Sequence, residues 1–151
     1  MTSHGSTIRV RHLGDAQFSI LTRHHELVVD QPFEGGGENL GPTPTELFVA
    51  SLASCVAFYG RGFLHARGLA DRVDVDARWS LELGPTRVGR IDITIDAPAV
   101  PRERLDAFRR AIEHCTVHNS LHDPPVVSFS VTTKDEKVER PNEGRATVST
   151  S

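Results

Sequence analysis

A chain of 151 residues with 38% hydrophobic content is long enough to bury one ordinary core and too short for two. Its 17 Lys and Arg against 20 Asp and Glu give a formal charge of −3, and the basic residues form nothing larger than the dispersed pairs Arg102/Arg104 and Arg109/Arg110, which excludes the footprint of a nucleic-acid binder. The polar start Met1 to Ser6 has no apolar segment of a signal peptide, and no window is read as approaching the roughly 18 apolar residues of a membrane span, so a cytoplasmic protein with neither nucleic acid nor membrane as partner is expected.

Three short strands open the chain. Thr7 to Leu13, Ala16 to Thr22 and Glu26 to Asp30 are β-prone runs separated by the turn-like breaks Gly14-Asp15 and Arg23-His24-His25, the pattern of an antiparallel meander. The stretch Gln31 to Pro42 holds Gly35-Gly36-Gly37 and Gly41, so it reads as a surface loop that delivers the chain to a helix. It lacks the Lys-Ser/Thr ending of a phosphate loop.

Thr43-Pro44-Thr45-Glu46 combines a Thr N-cap, a Pro at the first helical position and a Glu three residues on that can close a capping box. From Leu47 to Phe58 nearly every residue is apolar or small, which predicts a long helix buried on all sides, and Gly68 is a natural stop. Cys55 falls about three turns inside it.

Val73, Val75, Ala77, Trp79, Leu81 and Leu83 then alternate with polar residues, so one face of a strand belongs to the core. Gly84-Pro85 turns this strand into a partner in which Ile91, Ile93, Ile95 and Ala97 alternate with polar residues, a hairpin. Pro101 opens a second helix with Leu105, Phe108 and Ile112 on its apolar face. A short helical turn is expected after Cys115, and Val127, Phe129, Val131 and Thr133 alternate as a last strand. The reading is one α+β domain over residues 7–133, in which antiparallel sheets wrap apolar helices, with a flexible terminus at 1–6 and a disordered tail at 134–151.

Chemistry is concentrated in two cysteines, Cys55 and Cys115, sixty positions apart. In a reducing compartment such a pair is expected to be thiols with a task or plain core residues rather than a static staple. The string Gly41-Pro42-Thr43-Pro44-Thr45-Glu46-Leu47-Phe48-Val49-Ala50-Ser51-Leu52-Ala53-Ser54-Cys55, followed by Cys115-Thr116-Val117-His118-Asn119-Ser120-Leu121, resembles the OsmC/Ohr superfamily of osmotically inducible and organic hydroperoxide resistance proteins. The likeness extends over residues 7–133, and Val28 to Pro32 and the hairpin take part in it.

That resemblance implies an intertwined homodimer with the long helix at its centre and two sites at the subunit boundary. It also implies a catalytic cycle without metal, flavin or haem. Cys55 would be the thiolate that attacks an organic hydroperoxide, Cys115 would resolve the sulfenic acid as a disulfide, and an external dithiol would reopen it. A thiolate in mid-helix needs a cationic partner to lower its pKa. Arg23, in the turn after the second strand, is the first candidate and Arg61 the second. The best-understood peroxidases of this family open the helix with Pro-Glu, and that glutamate orients the arginine. Here Pro44-Thr45-Glu46 puts Thr45 at that position, which points to the broader OsmC-like branch. Glu46 is the candidate to substitute, although as third residue of a capping box it already has a structural task.

Other readings compete. Cys115, His118 and His122 have helical spacing that could hold a metal, but zinc sites want three or four well-placed ligands, and both this His-rich turn and His24-His25 read first as surface features. Trp79 and Phe129 are expected in the core. A binding module in which Phe48 and Phe58 hold a hydrophobic ligand near Cys55 without turning it over is the alternative function, and thiol reactivity separates it from the peroxidase.

Overall fold

The computed structural model describes residues 6–133 and 137–140. Strands β1 (Ile8–Gly14), β2 (Gln17–Thr22) and β3 (His25–Val29) form the expected antiparallel meander in the order β1-β2-β3. Its two tight turns place Asp15 and Arg23 at positive φ, 44° and 54°, conformations that L-residues adopt as single turn positions. Residues 1–5 of the expected flexible terminus lie outside the described residues.

Asp30, fully buried, organises the loop that follows. Its carboxylate accepts the backbone N–H groups of Gln31 (2.7 Å), Glu38 (3.1 Å) and Leu40 (3.1 Å). Burial opposes ionisation, yet the three donors together outweigh it and hold this carboxyl below its ordinary value. Two glycines let the loop press back onto β3. A Cβ at Gly37 would run into the Gln31 carbonyl, and one at Gly41 into the Val28 carbonyl. The loop is closed further by backbone bonds from Asn39 N–H to the Gln31 carbonyl and from Asp30 N–H to the Pro42 carbonyl, so the chain arrives at Thr43 on a fixed path.

Helix α1 (Pro44–His65) begins there with the capping box complete: the Thr43 hydroxyl accepts from Glu46 N–H (3.2 Å) and the Glu46 carboxylate from Thr43 N–H (2.7 Å). It ends just before Gly68, whose φ of 63° is the left-handed stop. The hairpin of β4 (Asp74–Glu82) and β5 (Arg87–Asp96) follows, turning at Gly84-Pro85. The second helix starts later than expected, because Arg102–Arg104 forms a single 3₁₀ turn before α2 (Leu105–Glu113). A short helix, α3 (Thr116–His122), follows Cys115.

The core lies where α1 meets α2, α3 and the hairpin. Leu52, Val56, Phe63 and Leu64 of α1 pack with Phe108 and Ile112 of α2 and with Cys115, while Val75, Ile91, Ile93 and Ile95 close the cluster from the hairpin. Each such aliphatic side chain contributes about 2 kcal/mol when fully buried. Gly60 makes the α1–α2 approach possible: a Cβ there would lie 3.2 Å from the Phe108 ring, and the Phe63 and Phe108 rings meet edge to face at 5.5 Å.

The structure corrects several expectations. Helix α1 is covered on one side only, with Phe58 71% and Phe48 43% exposed, because the three-stranded sheet makes no comparable packing against the helices of its own chain. Phe129 is 67% and Trp79 37% exposed, not core, since among the described residues no element packs extensively over β6 or the far end of the hairpin. The last strand is shorter than expected, β6 (Phe129–Thr132), and it pairs with β7 (Lys137–Arg140) inside the segment expected to be disordered. Backbone pairing needs no apolar periodicity, which is why polarity alone misread those four residues. The rest of the expected tail lies outside the described residues. Finally, α1 is long and apolar enough to cross a membrane by length and composition alone. Capping signals had marked it only as a core helix, and its packing against α2 and the hairpin is that of one.

Asp30→Asn should lower the thermal midpoint at neutral pH. A depressed carboxyl stabilises the fold above its ordinary pKa of 3.8 and loses that contribution as pH falls through the depressed value. The gap between wild type and variant should therefore narrow below that pH. A gap that stays constant down to acid unfolding would show that the charge on Asp30 is not what holds the loop.

Candidate functional site

Cys55 and Cys115 come together although sixty residues separate them. Cys55 sits in the middle of α1, half-buried, and packs against the cluster that contains Cys115. Both are free thiols. Cys115 has no exposed surface and occupies the corner between α2 and α3, where its N–H donates to the Ile112 carbonyl (3.3 Å).

The corner is shaped by capping. Cys115 is the N-cap of α3, extended at φ −67° and ψ 149°, and its sulfur accepts the His118 N–H at 3.4 Å. Its carbonyl accepts the first helical bond, from Asn119 N–H (2.9 Å). A cysteine thus takes the place usually held by Ser, Thr, Asp or Asn. Burial pushes the Cys115 thiol up, the His118 N–H pulls it down, and the adjacent Cys55 thiol pushes it up again by hydrogen bond and charge, with a net rise. Cys115 therefore rests as a protonated thiol at neutral pH, and the more exposed Cys55 is the better placed of the two to meet a reagent from solvent.

The other candidates are elsewhere. Arg23 is exposed in the β2–β3 turn, on the sheet that makes no extensive packing with the described helices of its own chain. Arg61 is paired with Asp71 at 2.9 Å on the outer surface; at six residues beyond Cys55 it faces away from the thiol on a helix of 3.6 residues per turn. Glu46, nine residues before Cys55, is held in the capping box by Thr43 N–H, and no hydrogen bond among the described residues joins it to either cysteine. Among the described residues, then, no hydrogen bond or ion pair joins Arg23, Arg61 or Glu46 to Cys55.

Among the described residues no three His, Cys, Asp or Glu side chains gather as a metal site. His118 Nδ1 donates to the Glu113 carbonyl and its ring packs edge-on against His122 at 4.7 Å, so this histidine is engaged in fixing the α2–α3 corner. His24 and His25 pack against each other at the exposed turn.

A cavity of about 580 Å³ borders Leu52, Val56 and Ile112 of the core cluster that contains Cys115. Phe48, Leu52 and Val56 of α1, Ile91, Ile93 and Ile95 of β5, Ile112 and Leu121 make its apolar wall, and Arg90, Arg109, Glu113, His118 and His122 its polar part. Neither cysteine lines it, but Phe48 lies seven residues, two helical turns, before Cys55 and shares its side of α1. Sequence reasoning identified Phe48 and missed the β5 isoleucines as cavity residues, because alternation marks them as inward-facing without telling a filled core from a hollow one. It also missed Tyr59, whose hydroxyl lies 3.0 Å from the Thr116 hydroxyl and so ties the helix of one cysteine to the neighbour of the other.

The raised Cys115 thiol carries a pH signature. The folded state keeps this proton after the unfolded chain has lost it, so the contribution is fully present below the ordinary thiol value of 9.0 and is lost as pH rises through the raised value. As pH rises past 9.0, thermal stability should fall more steeply in wild type than in Cys115→Ala, until the raised value is passed. Parallel profiles for the two proteins would refute the assignment.

Comparison with known proteins adds the following. The OsmC family, described as OsmC-like protein, matches residues 35–130. No curated protein matches the chain. Among solved structures, a Psychrobacter arcticus protein named for osmotic stress induction and detoxification superposes with a TM-score of 0.69 at 22% identity, over 79% of this chain and 90% of that one. An organic hydroperoxide resistance protein OsmC from Legionella pneumophila gives 0.64 at 19% over 80% and 91%, and the organic hydroperoxide resistance protein OhrB of Bacillus subtilis 0.57 at 16% over 80% and 92%. Identities this low speak to the fold alone.

Proposed function

This chain belongs to the OsmC-like protein family, and on that premise we propose that it is a cytoplasmic thiol peroxidase that reduces organic hydroperoxides through Cys55 and Cys115. The observation that supports this most is the meeting of the two free thiols in one core, one half-exposed and one buried. The Cys55 thiolate attacks the distal peroxide oxygen; the O–O bond breaks, and with one proton the products are Cys55 sulfenic acid and an alcohol. The Cys115 sulfur then attacks the Cys55 sulfur, forming the disulfide and releasing water. An external dithiol returns both thiols. No metal or organic cofactor takes part, and the apolar cavity favours organic over inorganic peroxide.

The working unit in this proposal is an intertwined homodimer. Phe58 on the open side of α1, Ile8 and Val10 on β1, and Phe129 and Val131 on β6 are exposed within one chain, apolar surface that a second copy would cover. A second copy covering α1 would also bring an N-terminal sheet across the boundary, and Arg23 remains the proposed activator of Cys55 on that basis. Arg23→Ala should slow the first thiol loss about tenfold, the effect of losing one charge-assisted contact to the attacking sulfur. Glu46 is retained only as the helix-capping residue that fixes the start of α1.

The decisive experiment mixes reduced protein with a slight excess of an organic hydroperoxide and follows peroxide and free thiols together, with hydrogen peroxide alongside. Two thiols per chain should disappear with matching peroxide loss. Cys55→Ser should consume none, and Cys115→Ser should react once and then stall or over-oxidise. Equal consumption by Cys55→Ser would end this mechanism. Unchanged thiols in wild type would favour a ligand-binding protein instead, a reading supported by the fact that the cavity is lined without either cysteine.

A further inference from the structure

We propose that Tyr59 is a positioning residue for disulfide closure: its hydrogen bond to Thr116 holds Cys115 at the level of Cys55. The inference deepens the peroxidase reading and rests on it for biological meaning, but its test does not depend on peroxide.

Tyr59 lies four residues beyond Cys55 on α1, so the two side chains follow one another on the same helix face. Thr116 is the first residue of α3 and directly follows Cys115. The phenol oxygen is 3.0 Å from Thr116 Oγ1, while the Tyr59 ring packs against the core cluster and stands edge-on to Phe58 at 6.0 Å. Each cysteine therefore has, beside it in the chain or one turn along the helix, one member of a cross-link between α1 and α3. Cys115 is otherwise fixed from the α2 side, by its N–H on the Ile112 carbonyl, and by its own capping of α3. The packing of Phe108 against Gly60 and Phe63 seats α2 on α1, but none of these bonds joins α3 itself to α1. The Tyr59–Thr116 bond supplies that missing restraint. Closing the disulfide requires two sulfurs to meet within narrow limits of distance and angle, so a small slide of α3 along α1 changes how readily they join.

The test is the equilibrium of the folded, full-length protein with glutathione buffers, in which oxidised glutathione takes two electrons from the thiol pair and leaves as two reduced molecules. The effective concentration of the Cys55–Cys115 pair follows from the fraction oxidised. Tyr59→Phe, which keeps the ring, and Thr116→Val, which keeps the shape, should each lower it about fivefold, the worth of one modest hydrogen bond. The double variant should lose no more than either single one, and Thr116→Ser should restore wild-type behaviour. A general loss of stability would not give this pattern, because the equilibrium is read on folded protein and the serine variant keeps the hydroxyl. Values within twofold of wild type for both single variants, additive losses in the double variant, or failure of wild type to form the disulfide at any buffer ratio would overturn the proposal. A wild type that closes the disulfide in glutathione yet ignores hydroperoxide would overturn the peroxidase reading and leave Tyr59 in its role.

Discussion

A 22-residue apolar helix has to be covered, and the rest of this molecule is arranged around that constraint. Water tolerates scattered apolar side chains but not a continuous stripe of them. The chain meets the demand on one side with α2, α3 and the β4–β5 hairpin, which bury Leu52, Val56, Phe63 and Leu64. On the other side it leaves Phe58 open. The meander β1-β2-β3, with no comparable seat against its own helices, has the same incompleteness. In the proposed homodimer these two deficits answer one another, and the boundary where they meet is also where an arginine absent from the single-chain site would have to enter.

Local devices decide where that helix begins and therefore where its cysteine stands. Asp30 gathers three backbone N–H groups, Gly37 and Gly41 let the loop lie against β3, and the Thr43–Glu46 capping box fixes the first turn. The same residues explain the fate of Glu46. A carboxylate that satisfies the N-cap amide has its geometry set by the helix terminus, and it is turned toward backbone rather than toward a thiol one helical stretch away.

The second cysteine is placed by a different logic. Cys115 caps a short helix, sits out of reach of solvent and has its thiol pushed toward the protonated form chiefly by burial. A residue so held is poorly suited to intercept a peroxide and well suited to wait for a neighbouring sulfur to become electrophilic. The division of labour between the two thiols thus follows from burial and capping, with Tyr59 and Thr116 as the strut between the helices that carry them.

Much of this was legible in the residues themselves. The meander, the capping box, the Gly68 stop, the Gly84-Pro85 hairpin and the short helix after Cys115 all follow from local rules, because caps, turns and periodicities act over a few residues and leave their mark in the sequence that makes them. The family follows too, since its two motifs end at Cys55 and begin at Cys115. What the tertiary structure alone decided is which apolar faces find a partner within the chain and which chemical groups come within reach of one another. Alternation marks Trp79 and Phe129 as one-sided without saying that their side is uncovered, and the polarity of Lys137–Arg140 hides a strand made by backbone bonds. Spacing puts Arg61 near Cys55 in sequence while helix geometry turns it to Asp71. The tie between Tyr59 and Thr116 joins residues 57 positions apart, a distance over which only the packed fold carries information.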